Sequence, residues 1–395
     1  MNRKIRVLFL PKWYPHRYDP MPGLFIQRQA EALTPYCDVA VIYVHPDPDC
    51  PNKYEAEFCE ENEVRVLRVY YKVSGSTTSG ICKALNWLKY YRAGMKAIHS
   101  IRQFAPDIVH AHVLTRIGFI AWRVCRKQHI PLVISEHWSR YFPENNSYNG
   151  WLRKWLTSFI VKKASLVIAV SEPLKLAMQK YHLNNQNFQV IPNVVDTEIF
   201  NAASSVSEKP LKIIVHISCF EDKSKNISGL LDAIIDLSRM RNDFLCLLVG
   251  EGPDLNSVKA YAQSLEIIDT FVCFTGLKTG IELAEILGSA DFTVISSNYE
   301  TFGTVIIESL ACGIPVVATR VGVAPDVINE KNGLLVPPRD KNAMVHALNR
   351  MLDQCRAYDK AAIKADLSEK FTKKTIGIQL VELYRPLIPE NSLTL

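Results

Sequence analysis

No apolar run in the 395-residue chain reaches the ~18 residues that a membrane-spanning helix needs, so no such helix is expected. Cysteine occurs ten times but never as a C-x-x-C pair, which removes zinc ribbons and thioredoxin-type redox motifs from consideration. Cys125, Cys246, Cys273 and Cys312 lie inside apolar runs, where reduced thiols fill core space. Met1 to Leu10 has neither the apolar core length nor the small-residue cleavage site of an export signal and reads as a first buried strand. The expected location is therefore cytoplasmic. No internal repeat and no low-complexity tract is present, which excludes solenoids and disordered arrays. Acid is missing altogether from Val64 to Pro106, a stretch with eight Lys or Arg. Residues 1–196 hold 26 Lys+Arg against 15 Asp+Glu, and residues 197–395 hold 20 against 25. So one-sided a basic half points to an anionic partner: a nucleotide, a nucleic acid or lipid headgroups.

What is present is a long series of short apolar runs separated by helix-length amphipathic segments. In the first half the runs are Ile5–Leu10, Val39–Val44, Val64–Tyr70, Ile108–Ala111, Leu132–Ser135, Leu166–Val170 and Val190–Ile191. In the second they are Lys212–Ile217, Phe244–Val249, Val272–Thr275, Phe292–Ile295, Val316–Ala318 and Leu334–Val336. Such runs suit parallel sheets buried on both faces, and two series suit two doubly wound α/β domains. The polar, small, Pro-terminated stretch Asn201–Pro210 is the expected linker. The expected domains are 1–200 and 211–371, with a helix at about 372–388 packing back on the first. Ligands of open α/β sheets bind beyond the carboxyl ends of the strands, so functional residues are sought there.

The stretch 292–313 carries the most chemistry. A strand, Phe292–Ile295, leads through Ser296-Ser297-Asn298-Tyr299-Glu300-Thr301-Phe302-Gly303 into an apolar helix from Thr304 to Cys312, ended by Gly313 and Pro315. Glycine at a helix start offers free N–H groups and the positive dipole end to phosphate. Ile306, Ile307 and Leu310 should face the core. Glu308 shares a face with the small residues Thr304, Ala311 and Cys312, leaving room for a hydroxyl-bearing ligand. The ordinary alternative is a solvated Glu308 and a Glu300 that merely complements the helix dipole.

Glu300-x7-Glu308, within NYETFGTVIIESLACGIPVVAT, resembles the E-x7-E signature of retaining GT-B glycosyltransferases of family 4. Similar pieces recur in order: PGLFIQRQAEAL, PDIVHAH, VISEH, VIAVSEPL, VIPNVVDTEIF, LVGEGPDL, FTGL and NGLLVPPRD. The resemblance spans roughly residues 5–340 and implies the GT-B fold, two Rossmann-like doubly wound domains facing across a cleft. It implies an acceptor-binding first domain and a nucleotide-sugar-binding second one. Glu300 would hold donor-sugar hydroxyls, Glu308 the ribose hydroxyls, and Phe302, Gly303 and Thr304 would offer N–H groups to the diphosphate. Lys225, in EDKSKNISGLL, matches the lysine that neutralises the leaving diphosphate, a fixed charge placed where charge develops. Gly250 and Gly252 would form a turn lining the nucleotide pocket, with the turn Phe274–Leu277 near the base. Gly23 would allow close backbone approach of donor phosphate or acceptor. His137 would lie by the reacting sugar, and His112 would line the site or fill core.

The sequence departs from the family at two places. Ser218-Cys219-Phe220 stands where an arginine is usual, so Lys223 is the candidate second cation, or Lys225 acts alone. Gly322-Val323-Ala324-Pro325-Asp326 replaces a more usual Gly-Gly…Glu.

Three further patterns carry weaker signals. His110 and His112 share one strand face, but no third ligand is apparent for zinc. Asp47-Pro48-Asp49 reads as solvated surface rather than a metal-holding D-x-D. The segment Ile81–Phe104 reads as a helix with Ile81, Leu85, Leu88, Met95 and Ile98 on its core face. Its Lys83, Trp87, Lys89, Tyr90, Arg92 and Lys96 spread over the remainder and suit an anionic membrane surface. The expected activity is transfer of a hexose from a UDP- or GDP-type sugar to a glycan or lipid-linked acceptor hydroxyl with retention, without metal or cofactor. A peripheral place on the inner membrane face is expected with it. A GT-B epimerase or phosphorylase is the alternative. Nucleic-acid binding comes third, because no recognised binding module accompanies the basic half, and nucleic acid is not expected as a partner.

Overall fold

The computed structural model describes residues 3–73, 80–114, 116–201, 211–367 and 369–389. All of the expected linker except Asn201 lies outside the described residues. The chain forms two compact α/β units. One takes residues up to 141, 146–194 and 373 onwards; the other takes 142–145 and 195–372.

The first unit is built on eight strands: β1 (Ile5–Pro11), β2 (Cys37–Asp47), β3 (Tyr54–Glu61), β4 (Val64–Lys72), β5 (Ile108–His112), β6 (Leu132–Glu136), β7 (Leu166–Ala169) and β8 (Phe188–Val190). Their order is β3-β4-β2-β1-β5-β6-β7-β8. All neighbours are parallel except β3 and β4. The second unit has six parallel strands: β9 (Lys212–Ile217), β10 (Phe244–Val249), β11 (Val272–Gly276), β12 (Phe292–Ile295), β13 (Val316–Thr319) and β14 (Gly333–Val336). Their order is β11-β10-β9-β12-β13-β14.

Every expected apolar run falls in or overlaps a strand, Val190–Ile191 only through Val190 at the end of β8. The unexpected one is β3, whose sequence YEAEFCEE alternates between half-buried and exposed positions and offers no apolar run. It is an acid-rich antiparallel edge, the kind that discourages pairing with other chains. Glu57 stands opposite Arg68 and Glu60 opposite Arg65 across the pair.

The first core joins Val7, Phe9, Val39, Ile108, Val133 and Ile168 from the sheet to Ile376, Leu380, Val381 and Tyr384 of the helix Lys373–Tyr384. That helix lies against the helix Leu24–Leu33 so closely that a Cβ on Gly377 would sit 2.1 Å from the Ala32 carbonyl oxygen. The second core gathers around Ile214, Phe244, Leu248, Phe292 and Val294.

Among the parallel strands of each sheet the order reverses direction at one place, between β1 and β5 in the first and between β9 and β12 in the second. At such a switch point adjacent loops turn to opposite faces and open a crevice beyond the carboxyl ends of the strands. Lys12 and Val113 leave the first crevice; the Ser218–Lys225 and Ser296–Gly303 loops leave the second.

Candidate active site

In the second unit the loops after β9 and β12 are tied together. Ser296 Oγ donates to the Lys225 carbonyl (2.8 Å), Asn298 N to the Ser224 carbonyl (2.8 Å), Asn298 Nδ2 to the Lys223 carbonyl (3.1 Å) and Asn226 Nδ2 to the Ser296 carbonyl (3.3 Å). A four-residue helix, Asp222–Lys225, ends at Asn226 in the left-handed region (φ 52°), and the helix Ile227–Ser238 follows at once. These contacts aim the Lys225 ammonium at Glu300 Oε1, which it donates to, while Ser297 Oγ donates to the same oxygen at 2.9 Å. Burial opposes the charge on Lys225, but the Glu300 carboxylate and neighbouring Cys219 outweigh it and raise the lysine above its ordinary value.

Gly303 caps the helix Thr304–Ala311 at φ 90°, and the N–H groups of Phe302, Gly303 and Thr304 meet no acceptor among the described residues. Glu308 is buried one turn into that helix, beside the buried Ile306, Ile307 and Leu310, so it is not a solvated surface acid. The Phe302 ring is inside, edge-on to Phe371 at 5.9 Å, and its carbonyl accepts from Val323 N (2.8 Å). Gly322 is required here, because a Cβ would sit 2.4 Å from the Phe302 carbonyl oxygen. Val323 has right-handed angles (φ −84°, ψ −10°), so the position after it needs no glycine and the departure from Gly-Gly costs no strain.

Gly250 and Gly252 have a reason the sequence did not suggest. A Cβ on Gly250 would lie 1.9 Å from the Ser218 carbonyl oxygen, and one on Gly252 would lie 1.7 Å from that of Cys219. Their missing side chains make room for the loop after β9. Gly250 N also donates to the Gly276 carbonyl (2.9 Å), which brings the turn before the exposed Leu277 alongside. Lys223 is turned elsewhere, its ammonium on the Asn145 carbonyl at 2.8 Å. Cys219, in the place of the usual arginine, is exposed.

In the first unit Gly23 (φ 74°) likewise accommodates protein backbone, with Trp13 O 2.2 Å from an added Cβ. It starts the helix that brings the Phe25 ring to 4.6 Å from His137. His137 is buried, which holds it neutral with a pKa of about 3, and its Nε2 faces His112 Nδ1 at 3.4 Å. His110 is a core histidine, bonded to Tyr384 Oη and Ser135 Oγ at 2.7 Å each.

The organiser of this edge is a residue the sequence reading passed over, Glu136 in VISEH. Its two oxygens accept from the backbone N–H of Leu114, His137 and Trp138 and from Tyr141 Oη, all at 2.9–3.1 Å. Burial raises its pKa against these bonds and the charge of Arg140. The Leu114 contact holds Val113 at φ 68°, which a β-branched residue adopts only when its surroundings impose it. A carboxylate ending a buried strand was the signal for it.

Asp47 is buried, not solvated. It ends β2 and accepts from Arg17 Nη2 and Tyr18 Oη, at 2.5 and 2.8 Å. Arg17 also pairs with Glu55 and Glu57, so the grouping of Asp47, Cys50 and Glu55 already holds its cation. The helix Gly80–Ser100 buries Asn86, Tyr90, Ala93, Gly94, Ala97 and Ile98, leaving Ile81 and Leu85 exposed; the expected core face is rotated. Small Ala93, Gly94 and Ala97 let that face approach the sheet more closely than Leu88 or Met95 could.

The Glycosyltransferase Family 4 description matches residues 25–199 and the Glycosyl transferases group 1 description matches residues 197–366. The chain is 31% identical over 300 residues to N-acetyl-alpha-D-glucosaminyl L-malate synthase of Bacillus anthracis, covering 72% of this chain and 76% of that one. It is 28% identical over 257 residues to alpha-monoglucosyldiacylglycerol synthase of Streptococcus pneumoniae, covering 61% of this chain and 58% of that protein's length. HepE of Anabaena, solved with UDP and glucose, superposes with a TM-score of 0.74 at 19% identity, over 96% of this chain and 99% of its own. With its two parallel-sheet α/β units, the chain belongs to the family 4 (group 1) glycosyltransferases of GT-B fold.

Proposed function

We propose that the chain moves a hexose from a nucleoside diphosphate sugar, of UDP or GDP type, to an acceptor hydroxyl with retention, in polysaccharide or glycolipid synthesis. The observation that carries this is the Lys225–Glu300 pair beside the unpartnered N–H groups of Phe302, Gly303 and Thr304. A diphosphate set on those N–H groups replaces Glu300 as the counter-charge of Lys225, and Glu300 is then released toward sugar hydroxyls. As the glycosidic bond breaks, negative charge grows on the diphosphate and a fixed ammonium with oriented N–H groups stabilises it without reorganisation. Glu308 holds the ribose, and the nucleotide-sugar site belongs to the second unit. His137, neutral throughout the working range, offers a hydrogen bond to a sugar hydroxyl in the first, acceptor-binding unit. Glu300, engaged with the sugar hydroxyls once the donor is bound, is a poor nucleophile, which favours departure and attack on one face of the sugar. Lys225 and the N–H groups supply the positive charge a metal would, so activity should persist in EDTA. The solved complex of HepE with UDP and glucose supports the donor class, and the named activity of the pneumococcal relative supports a lipid-linked acceptor.

Isothermal titration with UDP, GDP and ADP tests the nucleotide site: one should bind and Glu308→Ala should weaken it. Binding of none, with salt-sensitive DNA binding instead, would overturn the reading. Proton NMR of the anomeric centre of the product tests retention.

Docking to the inner, anionic membrane surface is part of the proposal. The helices Gly80–Ser100, Arg116–Gln128 and Trp151–Lys163 carry four Lys or Arg each and no acid. Rings run across them from Trp87 and Tyr91 through Phe119, Trp122 and Phe159 to Trp155, in steps of 5.1–6.3 Å. Trp151 is 80% exposed and Ile81 74%. Basic residues interleaved with exposed aromatics suit headgroup depth, at about 1 kcal/mol per cation near an anionic surface. Vesicles of phosphatidylcholine with phosphatidylglycerol should sediment the protein, and Trp151→Ala/Trp155→Ala or neutral Lys154 and Lys162 should release it. Absence of wild-type binding would end this part of the proposal.

A further inference from the structure

We propose that the carboxyl edge of the first sheet, beyond β1 and β6, binds a phosphate group carried by the acceptor. This deepens the function proposed above and rests on it for the word acceptor, but the site is argued from its own residues.

Arg140 lies in a single turn, Ser139–Tyr141, just after β6, and is 2% exposed. Its Nε and Nη1 find no hydrogen-bond partner among the described residues. The one nearby carboxylate, Glu136, has both oxygens occupied by three N–H groups and a tyrosine hydroxyl. Lys12, just after β1, brings a second cation to the same tryptophan, Trp138. Its Nζ is 3.2 Å from a ring centre of Trp138, and the Arg140 guanidinium carbon is 3.1 Å from it. No hydrogen-bond acceptor faces the Lys12 ammonium among the described residues, and Arg116 and Arg153 add positive charge. Burial and Arg140 lower its pKa to about 7.

The unpartnered atoms concentrate here. Of fourteen buried side-chain polar atoms without a partner among the described residues, five are His112 Nε2, His137 Nδ1, Arg140 Nε and Nη1, and Asn193 Oδ1. Asn193 follows β8 and faces His137. A buried arginine without a hydrogen-bonded anion, beside a half-buried lysine and with the nearby Glu136 already engaged, is costly unless something supplies the charge. A neutral sugar does not. A phosphate does: it offers several acceptor oxygens, the planar fork of Arg140 grips two of them, and Lys12 adds a point charge. The position fits the role, since this is the switch-point crevice beside the neutral His137.

The test is isothermal titration of the full chain with glycerol 1-phosphate, with glycerol, and with UDP. A parallel arm uses phosphatidylcholine vesicles with and without a polyprenyl diphosphate, to separate a soluble phosphate ester from a lipid-borne one. Glycerol 1-phosphate or the doped vesicles should bind where glycerol and plain vesicles do not. Lys12→Gln and Arg140→Gln should weaken that binding about 10- to 100-fold, the loss expected for a hydrogen bond to a charged group. Arg140→Lys should restore part of it, and UDP affinity should not change. Should Arg140→Gln fail to fold, Lys12→Gln, at a partly exposed position whose ammonium has no hydrogen-bond acceptor among the described residues, decides alone. Failure of both phosphate probes to bind, or wild-type affinity in Lys12→Gln, overturns the site. Equal weakening of UDP would make the nucleotide the occupant and overturn it too. A wild type that binds the phosphate probe but no nucleotide would sink the proposed function and leave this site standing.

Discussion

The carboxyl edges of the two sheets are built alike and finished differently. Beyond β9 and β12 four hydrogen bonds fasten one loop to the other, and the central cation, Lys225, is already paired with the Glu300 oxygen that Ser297 also donates to. Beyond β5 and β6 the loops are fastened just as firmly, through Glu136 and its four donors, yet Arg140 there and Lys12 beyond β1 have no hydrogen-bonded anion among the described residues. A site that handles the same leaving group in every turnover gains from charges held in place beforehand. One that must recognise a particular acceptor gains from groups that only that acceptor satisfies, because a ligand lacking the matching atoms leaves them unpaired.

The largest effect should come from removing the paired cation. Lys225→Ala should lower kcat by about 10²–10³, the loss seen when a preorganised charge stabiliser is deleted, with a smaller change in KM for the donor. Steady-state kinetics decides it; a loss under tenfold would mean the N–H groups of the 302–304 turn carry the leaving group alone.

The glycines sharpen the comparison at the level of packing. Gly252→Ala drives a Cβ to within 1.7 Å of the Cys219 carbonyl oxygen and should destabilise the second unit by about 3 kcal/mol, shifting the loop that carries Lys225. Gly276→Ala, at φ 74° but with nothing within 4 Å, should cost only about 1 kcal/mol of backbone strain. Urea titration of both variants measures the gap, and equal costs would remove the packing explanation for Gly252.

The fold was legible because strands buried on both faces write themselves as apolar runs; β3 was not, since its acids and half-exposed positions carry no such mark. Glu300, Glu308 and the Gly303 turn were legible as one contiguous strand–loop–helix segment. Lys12, Glu136 and Arg140 were not. They come from two separate loops that only the order β1-β5-β6 brings near each other, and a lysine and an arginine after strands look like any surface cations. The helix Gly80–Ser100 misled for a related reason: hydrophobic size marks a core face only where the neighbour leaves room, and the face chosen was the small one.

The subtlest test of the contrast is the pH dependence of stability that an unpaired lysine imposes. An amine whose pKa falls from 10.5 unfolded to about 7 folded binds fewer protons in the native state between those values. Its native charge is therefore a penalty, present in full below pH 7 and fading as pH rises toward 10.5. Lys12→Met removes the group in both states, so the variant should melt above wild type at pH 6 and the difference should shrink by pH 10. Because the ammonium reaches solvent, the gain should be about 1 kcal/mol or less, a few degrees at most. Glycerol 1-phosphate should abolish the difference by giving Lys12 its counter-ion. Lys225→Met offers the opposite sign: its pKa is raised by Glu300, so its charge stabilises the fold and the variant should melt below wild type at neutral pH. Were both variants to move in the same direction, the two edges would not differ in the way their hydrogen bonds imply.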